Sequence, residues 1–197
     1  MNDQLQLYAR RVLEAPMNLT SAKNIETIVT RHINDSLALL PLLPDGAFSL
    51  LDVGTGGGFP GMVLKIVRPE IELTLLDSTK KKLDFLMDLC APLQIGLSTW
   101  HWRAEELIRQ PWFKPGTFDI ATARAVADLP TLCKWCLPFV KPGGKFLAMK
   151  GSRWADELET ARGIPEKYGA RWLEPYEYTL PLPDGQAKFA VCIAEMG

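Results

Sequence analysis

The stretch LLDVGTGGGFPG, residues 50–61, decides the fold of this chain. Leu50, Leu51 and Val53 have the composition of a buried strand. Gly54, Gly56, Gly57 and Gly58 follow where the chain must turn tightly and where bare backbone can approach a ligand. Pro60 suits the first turn of the helix that opens next, because an N–H there has no helical partner to lose. Outward from this stretch, a second apolar run, IELTLLD (residues 71–77), ends on Asp77. That is roughly 20 residues past the glycines, where nucleotide-binding α/β folds place the acid that grips a ribose. Tight strand-to-helix turns also occur in folds that bind nothing; the acid at the second strand end is what points to an adenosine-containing ligand.

The same residues narrow the ligand. Phe59 occupies the place of the third glycine in the dinucleotide fingerprint, and Asp52 stands just ahead of the turn with no role in that fingerprint. A carboxylate there repels a pyrophosphate and suits a ligand carrying positive charge, such as the ammonium and sulfonium of S-adenosylmethionine.

The 197 residues suffice for one α/β domain with a modest extension and are short for two cores. Hydrophobic residues make up 47% of the chain, and no apolar run approaches the roughly 20 residues of a membrane span. The polar N-terminus reads as helix and not as a secretory signal, so the cytoplasm is the expected location. With 22 basic and 23 acidic residues, the net charge of -1 does not announce a nucleic-acid binder, so any basic surface must be local. The candidates are Lys80, Lys81 and Lys82 at a helix start, Arg103, Arg124, Lys150 and Arg153, although a charge run is commonly just a solvated face.

Cys133 and Cys136 form a C-x-x-C with no second pair, inside an apolar stretch; they read as packing thiols ahead of zinc or redox groups. His32 and His101 are the only histidines and offer no metal-ligand cluster. No metal site is expected.

Periodicity predicts helices over 2–14, 25–40, 60–67, 79–90 and 129–139, the last stopped by the KPGG of residues 141–144. It predicts strands over 48–53, 71–76, 97–102, 118–123 and 145–149, the pattern of a parallel sheet with right-handed crossovers. Two extended runs over 177–194, joined through Pro183, Asp184 and Gly185, read as an antiparallel hairpin. The expected architecture is a Rossmann-like class I S-adenosylmethionine-dependent methyltransferase: a mostly parallel seven-stranded sheet ending in that hairpin. A helical extension over 1–46 is expected to pack on the methyltransferase domain, 47–197.

Several separated blocks sharpen this. NLTS (18–21), RHINDSL (31–37), DVGTGGGFPG (52–61), VRPE (67–70), LLDS with its lysines (75–82), RAEE (103–106), FDIATARA (118–125) and MKG (149–151) span nearly the whole chain. In order and spacing it resembles the bacterial RsmG (GidB) family of 16S ribosomal RNA guanine-N7 methyltransferases. The resemblance implies that Gly54 and Phe59 line the S-adenosylmethionine site, Asp77 takes the ribose hydroxyls, Ala104 and Glu105 border the adenine, and Arg124 sits beside the methionine moiety and the reacting methyl. Asp52 and Gly56 complete the cofactor set. It also implies a guanine in the decoding-region loop of small-subunit rRNA as target. No membrane or DNA partner is expected, and the oligomeric state is open, with a monomer favoured. Arg31, His32, Lys80, Lys81, Arg103, Lys150 and Arg153 are the candidate RNA contacts. Arg31, His32 and Asp35 also fall at helical spacings that allow a structural network among themselves. Seventeen residues precede the NLTS block, fewer than is usual in the family, which implies an abbreviated N-terminal cap.

Guanine N7 already exposes a lone pair, so methyl transfer to it calls for positioning and no general base. Two other readings fit the residues less well. In a small-molecule methyltransferase, Trp100, Trp102 and Trp112 would line a closed pocket, although buried packing is the commoner fate of such rings. A non-catalytic RNA-binding assembly factor would not keep the Gly54, Gly56 and Asp77 set.

Overall fold

Alternating apolar runs and helix signals produce one mixed sheet in the computed structural model of the chain, which describes residues 2–182 and 185–197. The strands are β1 (Ser49–Val53), β2 (Glu72–Asp77), β3 (Ser98–His101), β4 (Phe118–Arg124), β5 (Val140–Lys150), β6 (Ala170–Trp172), β7 (Tyr176–Leu182) and β8 (Gly185–Met196). Their order is β3-β2-β1-β4-β5-β8-β6, with β7 also on β8. β1 to β5 are mutually parallel; β8 runs antiparallel to β5, β6 and β7. Ala194 lies between Phe146 and Trp172, and Val191 between Met149 and Tyr176. β6 and β7 therefore lie end to end along one edge of β8, so the eight strands fill the seven positions expected. Strand order reverses at β1, whose neighbours are β2 and β4, and in open α/β sheets the crevice beyond such strand ends is where ligands bind.

Alternation along each strand feeds two apolar layers. Leu50, Leu73, Leu75, Ile120 and Leu147 face one side, where Tyr8, Met62, Leu64 and Leu83 of three helices cover them. Leu51, Val53, Ala121, Ala123 and Phe146 face the other, against Leu129, Leu132, Cys133 and Cys136. Both cysteines are fully buried and unpaired, burial pushes the Cys133 thiol up to about 12, and no metal-binding cluster occurs among the described residues. No described helix is long and apolar enough to cross a membrane.

The first helix, Asp3–Leu13, starts where the Asn2 side chain accepts the Leu5 N–H at 2.8 Å, and buries Leu5, Tyr8, Ala9 and Val12. Periodicity predicted a continuous helix over 25–40; the chain instead forms Ile25–Ile28, a π turn over Val29–Ile33 and Asn34–Leu37. The Asn34 N–H reaches back five residues to the Val29 carbonyl, so one extra residue is accommodated where Arg31 and His32 stand. Pro41 then closes the segment as a 3-10 turn.

KPGG also behaves differently from the prediction. It lies within β5, where the pairing with β4 jumps from Phe118–Val140 to Ile120–Lys145. Gly144 is packed so closely that a Cβ would stand 2.5 Å from the Asp119 carbonyl oxygen, which accounts for the glycine at this bulge. β6 and the helix Trp154–Thr160 lacked a sequence signal strong enough to be read. The hairpin strands pair antiparallel from Tyr176–Val191 to Leu182–Gly185; Pro183 and Asp184, the expected turn residues, lie outside the described residues.

Candidate active site

The glycine turn is held against β2 by its own backbone and by one carboxylate. The N–H groups of Gly54 and Thr55 both donate to the Leu76 carbonyl, at 2.8 and 3.1 Å. Asp77 closes β2, and its two oxygens accept from the Gly56 N–H at 2.9 Å and the Thr79 N–H at 2.8 Å. The carboxylate is thereby fixed in orientation, with acceptor capacity left on each oxygen. Gly54, at φ +70°, calls for glycine: a Cβ there would meet Val126 Cγ2 at 2.6 Å.

These groups border a crevice of about 210 Å³, also lined by Ala104, Glu105, Trp102 and Trp135. The structure thus brings together Gly54, Asp77, Ala104 and Glu105, which the sequence had placed in one site. It adds Val126, Trp102 and Trp135. Trp102 adjoins the RAEE block and was readable as a pocket wall, whereas Trp135 carried no signal beyond its apolar helix.

Asp52 is fully buried at the root of the turn. Its Oδ2 accepts from the Thr55 hydroxyl at 2.7 Å and the Gly61 N–H at 3.0 Å, tying β1 to the next helix, while Oδ1 meets no donor among the described residues. Burial pushes this carboxyl up from an ordinary 3.8 to about 6, against the pull of Thr55, Gly61 and Arg124.

Phe59 lies beneath a second cluster. His32 stacks on its ring at 4.9 Å between centroids, and the Arg124 guanidinium stands 5.1 Å over it. Arg124, at the end of β4, donates from Nη1 to Asp35 Oδ2 at 2.9 Å and to the Arg31 carbonyl at 3.3 Å, and from Nη2 to His32 Nδ1 at 3.1 Å. Since arginine only donates, Nδ1 is the acceptor, and the neutral ring carries its proton on Nε2, which faces the Thr20 hydroxyl. Burial, then Arg124 and Arg31, lower the His32 pKa to about 4. The other oxygen of Asp35 accepts the Tyr178 hydroxyl at 2.6 Å. Tyr178 was not among the sequence candidates, and a contact across 143 residues leaves no local trace. Beside this cluster opens a cavity of about 470 Å³, whose walls include Arg31, Asp35, Arg124, Met149, Tyr178 and Phe189.

Asp52 and His32 together make a testable signature. Between about pH 4 and 6 the folded chain holds a proton on Asp52 that the unfolded chain has released, so stability falls as pH rises through that window. His32 acts oppositely: below 6.5 the unfolded chain takes up a proton that the folded ring refuses until about 4, so stability rises with pH. Asp52→Asn removes the first effect and is expected to stabilise the protein above pH 6 by up to about 3 kcal/mol. Its thermal midpoint should also climb from pH 4 to 6.5, unlike the flatter wild-type profile. Parallel profiles for the two proteins in melting experiments would contradict this assignment.

The basic candidates separate by environment. Arg31 and Arg153 are exposed, Arg103 is 60% exposed, and Lys80 pairs across one helical turn with Asp84 at 2.7 Å. Lys81 is exposed on the same helix. His32 is committed to the inner cluster. Lys150 differs most from the expected rim position: it is buried, with Nζ donating to the Ala127 carbonyl at 2.9 Å and paired with Glu157 at 2.6 Å. Glu157 also accepts the Leu129 N–H, so the pair clamps the loop that carries Val126 over Gly54. Lys150→Met should lower the thermal midpoint by several degrees, as expected when a buried ion is left without its partner. Equal melting of variant and wild type would rule out the clamp.

Comparison with known proteins gives a consistent result. The family model described as rRNA small subunit methyltransferase G (GidB) matches residues 1–173. Ribosomal RNA small subunit methyltransferase G of Acetivibrio thermocellus is 43% identical over 169 residues, covering 85% of this chain and 69% of that protein. The protein of the same name from Desulfitobacterium hafniense is 45% identical over 171 residues, covering 85% and 70%. Among solved structures, a methyltransferase from Pyrococcus furiosus superposes with a TM-score of 0.64 at 16% identity, over 98% of this chain and 96% of that one, a likeness of fold.

Proposed function

The chain belongs to the rRNA small subunit methyltransferase G (GidB) family and is a methyltransferase, and on that footing we propose that it methylates N7 of a guanine in 16S ribosomal RNA with S-adenosylmethionine as donor. The observation that carries the proposal is the crevice at the ends of β1 and β2. There Asp77 is pinned by two backbone N–H groups beside the bare backbone of Gly54, with Glu105 in the same wall. These groups fit an adenosine: a carboxylate to accept from the ribose diol, apolar walls from Leu76 and Trp135 for the base. The bare backbone of Gly54 leaves room for the polar remainder, on a turn that the buried Asp52 carboxylate holds from behind.

Bound S-adenosylmethionine supplies a methyl group activated by its sulfonium. The chain's part is to bind and align. Asp77 and Glu105 fix the nucleoside, and Arg124 borders the cavity of about 470 Å³ where a purine has room to enter. Arg124 spends three of its five N–H groups on Asp35, Arg31 and His32, so it is held in place with donors to spare. His32 Nδ1 is already taken by Arg124 and its pKa is lowered to about 4, and each Asp35 oxygen is already held by Arg124 or Tyr178, so neither is poised to remove a proton. That suits N7, which has none to lose. Rate then comes from alignment, which in well-oriented systems contributes on the order of 7–11 kcal/mol. The exposed Arg31, Arg103 and Arg153 favour a large anionic substrate over a small neutral one. In this reading residues 1–46 are an extension packed on the catalytic unit, 47–197.

The test is incubation with labelled methyl donor and unmethylated small ribosomal subunits, followed by mapping of the modified base. Label at one guanine N7 is the expected result. Label in protein or small molecules alone would overturn the assignment.

A further inference from the structure

Five large apolar side chains are exposed among the described residues: Ile25, Met87, Trp102, Trp112 and Val126. Three of them gather at one place. Trp102 and Val126 both line the crevice below the glycine turn, and Trp112 packs against Trp102 with ring centroids 5.9 Å apart and planes at 68°. Trp112 is 60% exposed and Trp102 38%, so one indole of this edge-to-face pair presents most of its surface to water.

The segment that carries Trp112 is anchored. Phe113, its neighbour, turns inward onto Phe139 at 5.1 Å, and the N–H groups of Gly116 and Thr117 donate to the Pro138 and Phe139 carbonyls. Folding thus half-buries one ring of the Trp112-Phe113 pair and holds the other outward, which apolar burial alone does not explain. Around the pair stand Arg103, directly after Trp102, and Arg109 and Lys114 in the same segment, all exposed. Arg103 keeps only long contacts with Glu105 and Glu106, at 3.9 and 4.0 Å.

We propose that Trp102 and Trp112 form a stacking platform for an unpaired nucleobase of the RNA substrate, with Arg103 as the neighbouring phosphate contact. An exposed aromatic face beside cations is what single-stranded RNA uses, since any base has a face to stack and each linkage a charge to neutralise. An apolar protein partner has no need of the flanking cations. The platform adjoins the cofactor crevice through Trp102, and that crevice shares no lining residue with the cavity beside Arg124, so the stacked base is a contact of the RNA separate from the base that is methylated. This rests on the reading of RNA as substrate.

Trp112 is the residue to change, because it is exposed and stands outside the crevice lining. Trp112→Ala should weaken binding of a single-stranded loop oligoribonucleotide, and raise KM for small subunits, by about 5- to 100-fold. Affinity for S-adenosylhomocysteine and the thermal midpoint should stay as in the wild type. Trp112→Phe should restore most of the RNA affinity while losing part of the tryptophan quenching that RNA produces in the wild type. Wild-type RNA affinity in Trp112→Ala would overturn the platform alone. A loss of S-adenosylhomocysteine affinity in its place would assign the ring to the cofactor site, and a dimer abolished by the substitution would assign it to a second copy; either result overturns the proposal. If the wild type neither binds nor methylates the RNA, the substrate reading fails and the platform falls with it.

Discussion

Asp77→Ala should lose S-adenosylhomocysteine affinity by at least about 100-fold, because in the proposed site one carboxylate holds both the ligand and the loop. Two charge-assisted hydrogen bonds to a ribose diol disappear, each worth about 1.5–3 kcal/mol. The Gly56 and Thr79 N–H groups also lose their acceptor, which releases the turn that shapes the crevice. Asp77→Asn retains one oxygen acceptor and should fall between the two. Calorimetric titration of the three proteins checks the order. Near-equal affinities would place the ribose elsewhere.

The second large effect concerns Arg124. Removing it by Arg124→Ala leaves the Asp35 carboxylate, 7% exposed, with only the Tyr178 hydroxyl. An orphaned buried charge of this kind costs on the order of 3 kcal/mol, or a fall of about 10 °C in thermal midpoint for a chain of this length. The loss of the guanidinium also relieves His32, whose pKa should rise from about 4 while burial still holds it below the ordinary value. Adding Asp35→Asn removes the stranded charge and should recover much of the stability. It should not recover methyl transfer, because Arg124 is still missing from the wall of the cavity proposed for the base. Recovery of turnover in the double variant would reduce Arg124 to a structural part. A midpoint unchanged by Arg124→Ala would show that the Asp35 pair carries little energy.

The portions of this molecule that were legible in sequence are those whose physics is local. Gly54 and Asp77 sit at strand ends, where turn geometry constrains a single residue, and they border one crevice with Ala104 and Glu105. The parallel order of β1 to β5 followed from helices between apolar runs, and the return of β8 from the lack of one. The inner cluster was half legible. Arg31, His32 and Asp35 share a helical segment, so their proximity follows from spacing, but the partners that give them meaning, Arg124 and Tyr178, arrive from strands 89 and 143 residues away from Asp35. The π turn was invisible because it leaves the apolar pattern nearly intact and only reassigns backbone hydrogen bonds. Lys150 reads as a surface cation by type, and only the packing of Glu157 and Ala127 around it reveals a buried strut. Trp112 shows the opposite case: composition favours burial for a tryptophan, and an anchored neighbour holds it outside.

Direct titration of the wild-type protein with S-adenosylhomocysteine, followed by heat, tests the central claim that the crevice between Gly54 and Asp77 holds an adenosine-bearing donor. Saturable binding at one site per chain, competed by S-adenosylmethionine and not by NADH, is the predicted result. No saturable heat for either sulfur nucleoside, with NADH binding in their stead, would contradict it.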